Sequence, residues 1–124
     1  IPQEYFDKGD PYQCYCQKTT RLMNEKFQDI SIETTFQSRF GPSKWLTPYT
    51  DKTLEKLPGE GKKKILMICP GFASDCVETL EEINIQGRET FMNSGGKHFE
   101  FVPCLNDNSD HIFLLENLIK KYLI

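Results

Sequence analysis

The chain has 124 residues, of which 38% are hydrophobic and 12% aromatic, and its formal net charge is -3 at pH 7. A chain of this length forms one domain, residues 1–124, and the composition is that of a globular protein rather than a disordered one. The small negative charge argues against nucleic acid as a partner. No apolar run approaches the roughly 20 residues that a membrane-spanning helix needs.

The five cysteines are an odd number and lack the spacing of a disulfide-rich secreted scaffold. They favour a reducing compartment, and we expect a cytoplasmic protein. The first residues, Ile1-Pro2-Gln3-Glu4, have neither the basic start nor the apolar segment of a signal peptide. Because the chain does not begin with methionine, we expect that Ile1 is not the native first residue.

Helical and strand patterns alternate along the chain. Asp10 before Pro11 is a typical helix start, and Gly95-Gly96 is a typical helix end. β-branched and aromatic residues mark the strands. In chain order we expect a helix over Pro11–Phe27, a strand over Ile30–Ser38, a loop over Arg39–Tyr49, a short helix over Lys52–Leu57 capped by Thr50-Asp51, a strand over Ile65–Ile68, a helix over Asp75–Asn93, a strand over Phe99–Leu105 and a helix that begins at Ser109 or Asp110.

This alternation predicts an α/β fold: a Rossmann-like, three-layer α/β/α arrangement around a parallel sheet. Three strands are few for such a sheet, and such domains normally begin with a strand rather than a helix. We therefore expect the first strand, or a whole preceding domain, to lie outside the chain.

The sharpest motif is a strand followed by a tight turn and a helix. The strand ends at Cys69-Pro70-Gly71, so the helix begins at the carboxyl edge of the sheet, where ligands bind in α/β folds. Winding at about 100° per residue places Asp75, Glu78, Glu82, Gln86 and Glu89 on one side of this helix, an acidic stripe in which all but Gln86 carry carboxyl groups. Mutual repulsion is expected to raise the pKa values of these carboxyl groups, which suits proton transfer. The ordinary alternative is a capping box followed by a solvated face.

Other residues allow two interpretations each. Cys69, Cys76 and Cys104 could form a thiolate cluster, but without CxxC pairs buried free thiols are the commoner outcome. Trp45 could wall a flat ligand or anchor a long loop. Arg39 could bind an acidic ligand or form a salt bridge. No glycine-rich nucleotide motif occurs.

Four ordered blocks of sequence resemble ferrochelatase, the family that inserts ferrous iron into protoporphyrin. The first block is Ile1-Pro2 with Gly9-Asp10-Pro11-Tyr12, and the second is Phe36-Gln37-Ser38-Arg39-Phe40-Gly41-Pro42 with Trp45. The third is Cys69-Pro70-Gly71-Phe72 with Asp75 and Glu78-Thr79-Leu80-Glu81-Glu82-Ile83, and the fourth is Leu105-Asn106. The Cys69-Pro70-Gly71-Phe72 motif is similar to that of proteobacterial members.

The resemblance implies the carboxyl-terminal half of such an enzyme. The family's catalytic histidine, in a Ser-Phe-His-Gly strand, would immediately precede Ile1 and is outside this chain. The amino-terminal domain that forms the other wall of the porphyrin cleft is outside it as well. The isolated chain is therefore expected to be inactive.

The resemblance also implies site residues. Glu78 and Glu82 match catalytic positions, and Glu78 would also contact the metal. Many members have a second histidine where this chain has Cys76, so no ligand role is transferred to that residue. The positions expected to bind substrate are Trp45, Gln37, Ser38 and Asp75.

The implied partners are protoporphyrin IX, ferrous iron as a substrate and the missing amino-terminal domain. No resident cofactor is expected, and a [2Fe-2S] cluster is not expected because the cysteine-bearing tail of some members is lacking. Exposed sheet edges predict self-association. Two alternatives stay open: a non-catalytic fragment that needs a partner chain, and another tetrapyrrole chelatase, such as one that acts on sirohydrochlorin.

Overall fold

The computed structural model describes residues 1–123, in which five α-helices and a π-helix surround a small sheet. The elements are α1 (Gln3–Asp7), α2 (Tyr12–Lys26), α3 (Thr50–Lys56), β1 (Lys64–Met67), the π-helix (Glu78–Gly87), α4 (Arg88–Asn93), β2 (His98–Phe101) and α5 (Ser109–Lys120). Within residues 1–123, no helix combines the length and apolar character needed to cross a bilayer.

The two strands pair in parallel, with Lys64 opposite His98 and Met67 opposite Phe101. The π-helix and α4 connect them, so the unit is a strand–helix–strand crossover, as parallel pairing requires. This arrangement confirms the predicted α/β fold and parallel sheet.

The predicted strand Ile30–Ser38 is wrong. Within this segment only Phe36 makes a bridge: its N–H donates to Pro48 O over 2.9 Å, and its carbonyl accepts from Thr50 N over 3.0 Å. Strand propensity reflects a fit to a paired, half-buried surface, and this segment has no strand beside it in residues 1–123. Its threonines instead form side-chain bonds, such as Thr35 Oγ1 with Thr50 Oγ1 at 2.8 Å.

One face of the sheet carries the hydrophobic core. β2 alternates, with Phe99 and Phe101 buried and His98 and Glu100 exposed. Leu66 points away from this core and is 59% exposed. The core joins α3, the π-helix, α4 and the sheet through Leu54, Ile83, Phe91, Phe99 and Phe101.

The helix predicted over Asp75–Asn93 is confirmed from Glu78 to Asn93, while Asp75 precedes it, and it is divided. Glu78–Gly87 is π-helical, and the N–H of Arg88 bonds to Ile83 O, five residues back. A π-helix has more residues per turn than the α-helix from which the acidic stripe was derived, so that stripe does not hold along its length. α5 begins at Ser109 as predicted, with Asn108 as its cap: the Asn108 side chain accepts from Asp110 N over 2.9 Å.

Candidate active site

Two hydrogen bonds join Ser38 to Glu82, which lies 44 residues later. Ser38 N donates to Glu82 Oε1 over 2.7 Å, and Ser38 Oγ donates to Oε2 over 2.5 Å. Both residues are half-buried. Ser38 adopts a φ of +62°, a left-handed conformation that costs a residue with a side chain about 1–2 kcal/mol. That conformation turns its N–H and hydroxyl toward the same carboxylate.

Gln37 extends this contact to the start of the π-helix. Its Nε2 donates to the carbonyl oxygen of Glu78 over 2.8 Å and approaches Glu82 Oε2 at 3.5 Å. On its other side, Gln37 Oε1 accepts a weak bond from the Cys69 thiol at 3.5 Å. Gln37 thus links the end of β1 to two successive turns of the helix. We call Gln37, Ser38 and Glu82 the acid clamp.

The Glu78 carboxylate is exposed, while the backbone that carries it is held by the acid clamp. Hydrogen bonding from the Cys76 thiol, and then from its own backbone N–H, lowers the pKa of Glu78. The lowered pKa favours the ionised form of Glu78, which can attract a cation.

Asp75 is tied to the loop that follows β2. Its Oδ2 accepts from Asn106 Nδ2 over 2.9 Å, and its Oδ1 accepts from Thr79 Oγ1 over 2.8 Å. The bond from Asn106 is the main reason that the pKa of Asp75 is lowered. The expectation of raised carboxyl pKa values is thus wrong for Asp75 and Glu78, because donors around each carboxylate outweigh repulsion between them.

Cys69 and Cys104 lie beside this site as neutral thiols. Burial raises the pKa of Cys69 to about 12 and that of Cys104 to about 11. Cys104 Sγ lies 3.9 Å from Cys69 O. In the part of the chain that the structure describes, no three His, Cys, Asp or Glu side chains converge to hold a metal ion. The thiolate-cluster interpretation therefore has no support, and within residues 1–123 the predicted metal contact of Glu78 does not belong to such a group of three.

A cleft of about 250 Å³ opens beside the acid clamp, between the loop after residue 36, α3 and the π-helix. All three clamp residues line it, together with Arg39 and Asp51. Arg39 Nη2 lies 2.6 Å from Asp51 Oδ2, and its guanidinium lies 4.1 Å from the ring centre of Tyr49. Arg39 thus forms the salt bridge that was one of its two predicted roles.

Comparison with known proteins connects this geometry to a family. The family model described as ferrochelatase matches residues 1–123. The chain belongs to the ferrochelatase family. It is 51% identical to the ferrochelatase of Shewanella denitrificans over 130 aligned residues, and 53% identical to that of Agrobacterium fabrum over 125. The ferrochelatase of Francisella tularensis subsp. novicida is 50% identical to it.

These alignments cover 98–99% of this chain but only 36–38% of each relative. The chain therefore spans little more than a third of the length of the curated ferrochelatases that it matches. The family assignment and the α/β fold hold for this segment.

Trp45 of this ferrochelatase segment is bonded to residues outside the acid clamp. Its indole Nε1 donates to Phe40 O over 2.7 Å, and its backbone pairs with that of Pro2. The ring is half-buried, and Trp45 is not among the residues that line the cleft. Its role in binding substrate stays a prediction.

Asn106 belongs to a block that resembles the family, but sequence reasoning assigned it no role in the site. It adopts a φ of +47°, its Oδ1 accepts from Asp75 N over 2.8 Å, and its Nδ2 donates to the Asp75 carboxylate. Its own carbonyl oxygen lies 2.7 Å from Nδ1 of the buried His111. An asparagine just beyond a strand end, where left-handed backbone is tolerated, was the available signal.

Proposed function

We propose that this chain is the carboxyl-terminal part of a ferrochelatase, and that the complete protein inserts Fe²⁺ into protoporphyrin IX to form haem. In this reaction the porphyrin exchanges its two pyrrole N–H protons for the metal: one Fe²⁺ enters and two H⁺ leave. The enzyme therefore needs a base near the ring and a path by which the metal reaches it.

The observation that carries the proposal is the ionised, exposed carboxylate of Glu78 on a backbone that the acid clamp fixes. The lowered pKa keeps this carboxylate ionised, so it attracts ferrous iron. The same lowering makes Glu78 a weaker base, so a pyrrole proton that it accepts as the metal enters passes on readily to solvent. Glu82 lies behind it, oriented by Ser38. Family membership supports the same reaction class.

We propose that the porphyrin cleft is completed by the part of the protein outside this chain, including the catalytic histidine that the resemblance implies. α5 supports this proposal. Its only buried residue is His111, and apolar side chains protrude on several sides of the helix. Their exposed fractions are 51% for Ile112, 64% for Phe113, 50% for Leu114, 41% for Leu115, 44% for Leu118 and 57% for Ile119.

A helix that exposes apolar side chains on several sides is stable when protein covers them. Since the matched relatives are more than twice as long as this chain, their remaining portion is the simplest cover for α5. Without that cover, we expect the isolated chain to self-associate, through α5 as well as through the edges of the sheet. Gel filtration tests this, because a compact monomer would contradict it.

The function is tested by a chimera in which this chain replaces the matched segment of the Shewanella denitrificans ferrochelatase. The 51% identity makes compatible packing a reasonable expectation. We expect the chimera to insert Zn²⁺ or Fe²⁺ into protoporphyrin IX, followed by fluorescence or absorbance, and the 124-residue chain alone to be inactive. A folded chimera that binds porphyrin but inserts neither metal would contradict the proposal.

The second candidate is a non-catalytic interaction fragment, and the exposed apolar surface of α5 favours it. It predicts that the chain binds a separate partner chain without contributing to metal insertion. Restoration of activity when the chain is mixed with the complementary part of the relative would argue against this alternative.

A further inference from the structure

The acid clamp contains a residue whose role differs from that implied by resemblance. Resemblance makes Ser38 a substrate contact. In the structure, however, its N–H and its hydroxyl both donate to Glu82, at 2.7 and 2.5 Å. The residue is half-buried, and its two polar donors are already used within the protein.

The bonds to Ser38 restrain the Glu82 carboxylate in two ways. One donor holds Oε1 and the other holds Oε2, so both the position of the carboxylate and its rotation about the last side-chain bond are fixed. The positive φ of Ser38 is what brings the two donors to the same side. Sparsely populated backbone conformations of this kind cluster at functional sites.

We propose that Ser38 is a positioning residue that acts through Glu82, and that it orients this carboxylate for the proton transfer begun at Glu78. This inference rests on the proposed function. It differs from substrate binding in its kinetic consequence: loss of the Ser38 hydroxyl lowers kcat and leaves KM for porphyrin unchanged.

Ser38→Gly in the active chimera is the first test. Glycine removes the hydroxyl but keeps the N–H and accepts the left-handed backbone without strain, so the fold is retained. We expect kcat to fall about tenfold, the usual scale for one hydrogen bond to a charged group. A rise in KM with kcat unchanged would show a substrate contact and overturn the inference, as would an unchanged rate.

A double-mutant cycle tests whether Ser38 acts through Glu82. Glu82→Ala removes the group that Ser38 orients, so adding Ser38→Gly to Glu82→Ala should cause no further loss. Losses that multiply in the double variant would show that Ser38 acts independently and would refute the inference. Glu81→Ala, an exposed carboxylate on the same helix, is the matched control for the Glu82 substitution.

An activity-independent measurement separates this inference from the proposed function. In the 124-residue chain, hydrogen exchange of the Ser38 amide should accelerate about tenfold in Glu82→Ala and stay unchanged in Glu81→Ala, because only Glu82 accepts from that amide. An unchanged exchange rate in Glu82→Ala overturns the positioning role, whatever the chimera does. An inactive but folded chimera would instead count against the proposed function, and the exchange result would still decide whether the bond exists.

Discussion

Gly96→Ala is predicted to destabilise the fold strongly, because there is no room for a methyl group at this position. A Cβ on Gly96 would overlap the ring of Phe91 and lie 2.8 Å from the Phe91 carbonyl oxygen. The ring is fully buried and packs on Phe99 with centroids 6.1 Å apart. Phe91 anchors α4, the continuation of the π-helix that carries the site, so the substitution also tests how that helix is held to the sheet.

The expected loss in the free energy of unfolding follows from how far the Phe91 ring must move. Carbon atoms pack best at about 3.5–4.0 Å, so the Phe91 ring must shift by roughly an ångström or more in a close-packed core. Overpacking of this kind costs about 1–3 kcal/mol, and complete loss of Phe91 packing would cost about 3–5 kcal/mol. The overlap involves the backbone as well as the ring, so we expect about 3 kcal/mol.

Urea unfolding of the chain, followed by circular dichroism, measures this loss. Gly59→Ala is the control, since its Cβ would meet only Lys56 O at 3.4 Å, and it should change stability by less than about 1 kcal/mol. Adding Phe91→Leu should recover part of the Gly96→Ala loss, because the smaller side chain leaves space. Equal stabilities for the two alanine variants would refute the packing argument.

Two further predictions follow from the lowered and raised pKa values. Hydrogen bonds, of which the one from Asn106 has the largest effect, lower the pKa of Asp75 in the folded chain. The ionised carboxylate therefore stabilises the fold above the unfolded pKa of about 3.8, and this stabilisation is lost as the pH falls through the lower folded pKa. Asp75→Asn should lower the urea midpoint at neutral pH and flatten its acid dependence; an unchanged acid profile would contradict this. Near pH 8, a thiol reagent should modify the exposed Cys14 well before Cys69 and Cys104, whose pKa values are about 12 and 11. Mass spectrometry of the modified chain gives the order in which the cysteines react. Equal rates of modification for all three would contradict the burial of the Cys69 and Cys104 thiols.

Sequence patterns predicted correctly those helices and strands whose structure is decided by interactions between residues close in the chain. The helix expected over Pro11–Phe27 lies at Tyr12–Lys26, and the β-branched run at Ile65 forms β1. The prediction of a strand over Ile30–Ser38 was wrong because a strand needs a neighbouring strand to pair with. The amino-acid composition of a segment does not show whether that neighbouring strand is present. Similarly, periodicity predicts that Glu78–Gly87 is helical but does not distinguish a π-helix from an α-helix.

The candidate site was predicted in its residues but not in its connections. Resemblance brought Glu78, Glu82 and Ser38 together as one site, yet the direct bond between Ser38 and Glu82 crosses 44 residues and depends on a left-handed backbone. The bonds from Asn106 to Asp75 cross 31 residues. Contacts of this kind arise from the assembled fold, which explains why the lowered pKa of Asp75 had no local signal. The lowered pKa of Glu78 has a local cause, the thiol of Cys76 two residues earlier, and that contact depends on side-chain geometry that periodicity does not give.

The most direct test of the account is Glu78→Gln in the active chimera with the Shewanella denitrificans enzyme. Glutamine keeps the shape of the side chain but removes the charge and the proton-accepting group. The account predicts that metal insertion into protoporphyrin falls by at least about a hundredfold while porphyrin binding and stability persist. Glu81→Gln, three residues later and exposed, should leave the rate unchanged. A Glu78→Gln chimera that inserts zinc or iron at the unsubstituted rate would contradict the account.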